Sequence, residues 1–269
     1  MANARQKAAT KRLGTGRGFT LIEVMVVVAI ISLLVVLVVV AFGRGQTIAE
    51  STKCLANQRI ILNAWRTYGI DHKGRFPGPD TNLNPDKDWM KSIGDNMGPG
   101  NAERETAITE GTLFPYVGDV RTYRSPQDTT THMRTYSING FLSSGEGADW
   151  WGGPPGYLID TLSRIRNPGQ LITVLPENDH RGHNINGWGI DISGGGVWID
   201  KLATFNPGRI NFAYMDGHVS SYAWVGESDQ VNYDLEYAFN LPQTNVYFPG
   251  PDYEWIYRHV FDGFSMDDP

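Results

Sequence analysis

Three patterns of apolar and polar positions run along the chain. Residues 19–42, FTLIEVMVVVAIISLLVVLVVVAF, are 24 residues relieved only by Thr20, Glu23 and Ser32. As a helix this run is about 36 Å long, enough to span a bilayer with some tilt. Gly43 and Gly45 follow, each weakening a helix by roughly 1 kcal/mol against alanine. The period then changes. From Gln46 to about Ile70 the composition is helical, and Cys54, Ile61, Trp65 and Tyr68 recur at helical spacing. That stripe is suited to packing on a sheet. Gly74 and Pro77 end it. The prediction is one helix of about 52 residues, roughly 78 Å long. The third pattern lies far downstream, where RINFAYM and HVSSYAWV are β-rich runs joined by Asp216-Gly217. Asp-Gly is a preferred pair for a tight type I′ hairpin, Gly217 supplying the positive φ and Asp216 tolerating one.

Glu23 is the only charged side chain between Phe19 and Phe42. A carboxylate in the bilayer core costs at least about 2.5–3.5 kcal/mol, so it requires a purpose and a partner. No cation lies within the run, which argues for a partner from elsewhere. A cut just before Phe19 would create one, as a free α-amino group. Residues 1–18 carry Arg5, Lys7, Lys11, Arg12 and Arg17 and no acid. A basic flank of this kind stays cytoplasmic, which places residues 43–269 on the far side of the membrane. The apolar core is too long for an ordinary secretory signal, so the helix is expected to be retained and any cut to fall on its cytoplasmic side.

Charge and composition narrow the rest. The whole chain has 23 basic and 29 acidic residues; without residues 1–18 it has 18 against 29, a net charge of −11. An acidic exported domain argues against nucleic acid as a partner, which requires a basic face. Cys54 is the sole cysteine and has no internal disulfide partner. Scattered Gly and Pro alongside plentiful Trp and Tyr describe a loop-rich mixed domain rather than a disordered chain.

Gly18-Phe19-Thr20-Leu21-Ile22-Glu23 resembles the prepilin processing motif of type IV pilins and type II secretion pseudopilins. The resemblance implies cleavage between Gly18 and Phe19 by a membrane prepilin peptidase and N-methylation of Phe19. It also implies that Glu23 meets the N-terminal amine of a neighbouring subunit during filament assembly. Opposite charges in lipid are tolerable as a pair, which penalises the unassembled subunit and sets the stagger of the assembled one. The plain alternative is a membrane anchor with a chance glutamate. Members of the family often carry a proline midway along the membrane half. This chain has none, which leaves the Gly43–Gly45 region for any local melting.

A narrower resemblance runs over nearly the whole chain, to a large pilin-like family of planctomycetes, verrucomicrobia and relatives. It rests on residues 53–59 (KCLANQR) with Tyr68 and Gly74-Arg75-Phe76-Pro77, on Pro115-Tyr116-Val117, and on Tyr123-Arg124-Ser125-Pro126. Tyr136-Ser137-Ile138-Asn139, Ile165-Arg166-Asn167-Pro168 and the signature from Asn211 and Phe212 to Asp216-Gly217-His218-Val219 complete it. Ser125 stands where that family commonly has a cysteine. Asn206 stands near the place of a histidine usually found before the signature.

Asp216, Gly217 and His218 have residue types that suit a metal or catalytic site, but the hairpin accounts for them mechanically. Residues 177–183, Glu177-Asn178-Asp179-His180-Arg181-Gly182-His183, carry acids and imidazoles. Calcium enters there only by analogy with pseudopilins that bind it, since no spacing matches a defined metal motif. Trp150-Trp151 could offer an aromatic platform, although core or loop packing is the commoner use. No nucleophile elbow, P-loop, dinucleotide fingerprint or zinc-peptidase helix occurs.

The expected fold class is α+β: a long N-terminal helix packed on an antiparallel sheet with large loop insertions. Its parts are a cleaved leader (1–18), a transmembrane and filament-core helix (19–42), an amphipathic continuation (43–75) and an exported globular domain (76–269). The expected function is that of a pilus or pseudopilus subunit in the inner membrane, not an enzyme and without a cofactor. Its partners are the prepilin peptidase, like subunits, an assembly platform and its ATPase. A minor tip pilin or adhesin that binds a glycan or protein is the alternative.

Overall fold

The computed structural model describes residues 18–79, 87–91, 101–130, 132–142, 158–178, 187–193, 195–205, 208–225 and 246–261. The chain divides into two compact units, Met1–Gln46 and Thr47–Pro269. One helix, α1, runs Leu21–Asp71 through Gly43 and Gly45 without a break. It ends where predicted: Lys73 and Gly74 turn to positive φ (59° and 85°), and the Gly74 N–H closes onto the Gly69 carbonyl at 2.7 Å.

Within the first unit, every large apolar side chain from Phe19 to Phe42 is more than 45% exposed. From Cys54 onward the helix becomes one-sided. Cys54, Asn57, Gln58, Ile61, Leu62, Trp65 and Tyr68 are buried, while Lys53, Arg59, Asn63 and Thr67 face out. The buried set is the predicted stripe widened by Leu62 and two amides, so the helix docks with polar as well as apolar groups.

The second unit is built on a four-stranded antiparallel sheet in the order β1-β2-β4-β5. Its strands are β1 (Tyr136–Ile138), β2 (Ile172–Pro176), β4 (Arg209–Tyr214) and β5 (Val219–Ala223). A two-stranded pair, β3 (Val197–Trp198) with β6 (Val246–Tyr247), lies apart from it. The helices α2 (Asn101–Thr109) and α3 (Phe114–Val117) precede β1, and α4 (Pro251–Val260) follows β6.

Period-two alternation in β4 separates two cores. Ala213, then Met215 just past the strand, join Trp65, Ile61, Tyr136, Ile138 and Val174 in the layer under α1. Ile210, Phe212 and Tyr214 join Tyr253, Ile256, Tyr257 and Val260 of α4 in the opposite layer. Both faces of the sheet are therefore covered, which explains why β2 is buried at all five positions. A register shift between Ile172 and Val174 lets Ile172 and Leu175 enter the α4 layer together. Helix α4 was not among the expected elements, although Pro251 at its start and Tyr253, Ile256, Tyr257 and Val260 at i, i+3, i+4 and i+7 mark it.

Candidate functional site at the N-terminal motif

Gly18, Phe19 and Thr20 are not helical, and α1 begins at Leu21. The Gly18–Phe19 bond thus lies outside the helix, and Phe19 is 82% exposed. The start is defined by Thr20 and Glu23, three residues apart. The Thr20 N–H and hydroxyl both donate to Glu23 Oε2 at 2.8 Å, and the Glu23 N–H donates back to Thr20 Oγ1 at 3.3 Å. This reciprocal arrangement is a capping box, and it satisfies helix-end donors that have no partner of their own. It corrects the expectation that Glu23 has no local partner. A neutral donor one turn away, rather than a countercharge, supplies it.

The second candidate, Asp216-Gly217-His218, lies in the other unit at the β4–β5 hairpin. The hairpin forms, with a different turn. The Tyr214 N–H donates to the His218 carbonyl at 3.0 Å and the Gly217 N–H to the Tyr214 carbonyl at 2.9 Å, leaving Met215–Gly217 as a three-residue loop. A type I′ turn needs positive φ at both Asp216 and Gly217, and of the two only Gly217 has it, at 108°. The His218 ring stacks on Tyr214 at 4.1 Å between centroids. Asp216 Oδ1 accepts the His218 N–H at 2.9 Å and lies 2.7 Å from its Nδ1. Burial works against the Asp216 carboxylate, but the hydrogen bonds and charge of His218, with Arg66 beyond, hold it below the usual range.

The hairpin is tied into the fold on two sides. Arg66 donates to the Asp216 carbonyl at 3.0 Å. The Asp216 N–H donates to the Pro168 carbonyl at 3.0 Å, and the Met215 N–H to Leu171 at 2.9 Å. The segments that carried the narrower resemblance meet one another in the same manner. Asn57 donates to the Arg124 carbonyl at 3.1 Å, and Gln58 to the Asn211 carbonyl at 2.8 Å. The Asn211 amide reaches Ser51 Oγ at 3.2 Å. Cys54 is buried among Asn211, Tyr136 and Ser125, and that burial raises its thiol above the ordinary range despite their hydrogen bonds. These residues lock α1 to the sheet.

Among the described residues, no three His, Cys, Asp or Glu side chains gather as a metal cluster. Asp179, His180 and His183, together with Trp150, Trp151, Asn206 and the leader up to Arg17, lie outside the described residues. A groove of about 320 Å³ lies between α1 and the β4–β5 edge, lined by Thr47, Ile48, Ser51, Thr52, Arg209 and Ser221. Its guanidinium donates to Ser221, and it holds no nucleophile with an adjacent base.

Comparison with known proteins points to the first of the two candidates. A family model described as the prokaryotic N-terminal methylation motif matches residues 16–41, which include Gly18, Phe19 and Glu23. No curated protein and no solved structure matches the chain. The motif and the long apolar helix fit a type IV pilin-like protein, and the α+β architecture is consistent with the pilin fold. They support a pilin-type precursor processed by prepilin peptidase.

Proposed function

We propose that this chain is a subunit of a type IV pilus-like or type II secretion pseudopilus filament, stored in the inner membrane with residues 43–269 outside the cytoplasm. The observation that carries the reading is a single carboxylate, Glu23, at the start of an exposed apolar helix, five residues past a non-helical Gly18–Phe19 bond. Cleavage there releases the basic leader and leaves an amine on Phe19, which the peptidase methylates. In lipid that amine and the Glu23 carboxylate of a neighbour satisfy each other, so a subunit gains from adding at the one stagger that brings them together. The apolar side chains of α1 stabilise the assembled core against water, each contributing about 1.5–3 kcal/mol relative to full exposure in water. Helical addition of this kind is a heterologous contact, which builds open filaments rather than closed rings. An assembly platform and its ATPase drive the extraction from the membrane.

Intact mass and N-terminal sequencing of the chain from its native membrane test processing, and its abundance in sheared filaments tests assembly. The expected chain begins at Phe19, carries one added methyl group and dominates the filament fraction. A chain that keeps its leader beside an active peptidase overturns the proposal. A processed chain found only at trace level in filaments of another subunit would make it a minor tip component.

A further inference from the structure

The groove beside Arg209 carries an inference that rests on the membrane-anchored reading and names a partner for it. All six of its lining residues belong to the second unit. Arg209 and Ser221 share the sheet face that α1 covers with Asn211, whose amide reaches Ser51. The guanidinium is held from one side: Nε donates to Ser221 Oγ at 3.1 Å and Nη2 to the Ser221 carbonyl at 3.4 Å. Among the described residues, Nη1 donates to nothing. Ser51 Oγ and Ser221 Oγ each accept a bond, from Asn211 and Arg209, which leaves their own protons to donate. No carboxylate lines the groove, in a chain that carries 29 acidic residues. A fixed guanidinium edge sharing a groove with hydroxyl donors suits a phosphate oxyanion.

Two further features select the source of that phosphate. Ile48 lines the same groove and is 68% exposed, an apolar shoulder that a soluble phosphate does not use. Thr47 follows Phe42, the last residue of the apolar run, by five residues. That is about 7.5 Å along a helix and at most roughly 18 Å along any chain. The headgroup layer is itself about 5–7.5 Å deep on each side of the hydrocarbon. We propose that this groove binds the phosphate of a membrane phospholipid. Arg209 meets the phosphate oxygens, Ser51 and Ser221 donate beside it, and Ile48 packs on the glycerol and acyl stem. The contact tethers the second unit of an unassembled subunit to the headgroup layer.

The test places the full chain, with carbon-13 at Cζ of its arginines, in phosphatidylglycerol vesicles. Dephasing of the Arg209 signal by phosphorus, assigned by its loss in Arg209→Gln, reads the contact. In dodecyl maltoside micelles, native mass spectrometry reads binding of dilauroyl phosphatidylglycerol or of inorganic phosphate. Phospholipid affinity should fall about tenfold in Arg209→Gln, the loss of a charged hydrogen-bond donor. It should also fall in Ile48→Ser, which should leave the weaker binding of inorganic phosphate unchanged. Both side chains are exposed, so both variants should keep the wild-type urea midpoint, which separates lost binding from lost folding. An Arg209→Gln chain that binds phospholipid like the wild type overturns the site. Inorganic phosphate that binds as tightly as phospholipid, with no effect of Ile48→Ser, overturns the lipid as its source. A dimer that is lost in Ile48→Ser and undisturbed by phospholipid assigns the groove to a second copy and overturns the proposal too. A chain that alkaline carbonate strips from the vesicles overturns the membrane-anchored reading, while the micelle titration still reports on the groove.

Discussion

Gln58 donates its side-chain amide to the main-chain carbonyl of Asn211 at 2.8 Å, from a position with no solvent exposure. The bond fixes the rotation of α1 against β4. The neighbouring Asn211 amide meets Ser51 two turns earlier and Arg66 meets Asp216 two turns later. Gln58→Leu keeps the volume and the helix propensity and removes the donor. Among the described residues Gln58 Oε1 has no partner even in the wild type, which offsets part of the loss. The expected destabilisation is about 1–2 kcal/mol, read from urea unfolding followed by tryptophan fluorescence. An unchanged midpoint would show that apolar packing alone holds the helix.

Ser125 sits beside the Cys54 thiol in the core. Ser125→Cys is expected to form a disulfide with Cys54 on oxidation, losing two hydrogens in mass and migrating faster on a non-reducing gel. Closing that loop should stabilise the domain by about 2–4 kcal/mol. A free-thiol count of two after oxidation would show that the pair cannot reach bonding geometry.

His259 stacks on Trp255 at 3.9 Å, and its Nδ1 lies 2.6 Å from the Trp255 carbonyl. Burial, with Arg258 nearby, lowers its pKa below 6.5 despite that hydrogen bond. The folded chain therefore binds fewer protons at this site than the unfolded chain, and stability rises with pH across the window. Acidification from neutral pH through 6.5 should weaken the domain, and His259→Gln should flatten that part of the profile. Asp216 also has a lowered pKa, but its loss falls in the more acidic carboxylate range. Urea midpoints between pH 4 and 8 separate the two.

A Cβ built on Gly43 or Gly45 meets nothing within 4 Å. Alanine at both positions should therefore be accepted without a clash and strengthen the helix by roughly 1 kcal/mol per site. Slower amide exchange over residues 43–47, with an unchanged unfolding midpoint for the domain, is the expected outcome. A drop in that midpoint would reveal a packing role that the free chain does not display.

Helix α1 was legible because its signals are local: an apolar run, a stripe at helical spacing, and Gly74 with Pro77 beyond. Its observed end at Asp71 falls one residue past the predicted Ile70. The β4–β5 hairpin was legible for the same reason, but its loop was not. Met215 is drawn into the loop by its bond to Leu171, and the stack of Tyr214 on His218 closes the loop at its base, contacts that no local pattern displays. The capping role of Thr20 was not legible, because a lone carboxylate in an apolar run points to a countercharge rather than to a neutral donor. Nothing local marks Asn57 and Gln58 as buried, because their acceptors, Arg124 and Asn211, are brought to them only by the fold.

Strand β4 stands between both cores, yet it occupies residues 209–214 of 269. Ala213 is needed to close the layer under α1, and Phe212 the layer under α4. Neither can form until most of the polypeptide has been synthesised, and the closing contacts span very long loops, a topology that slows folding. The order of events is thereby imposed by the chain itself. The N-terminal helix is complete and able to enter a bilayer long before the domain behind it has an interior, so anchoring precedes folding.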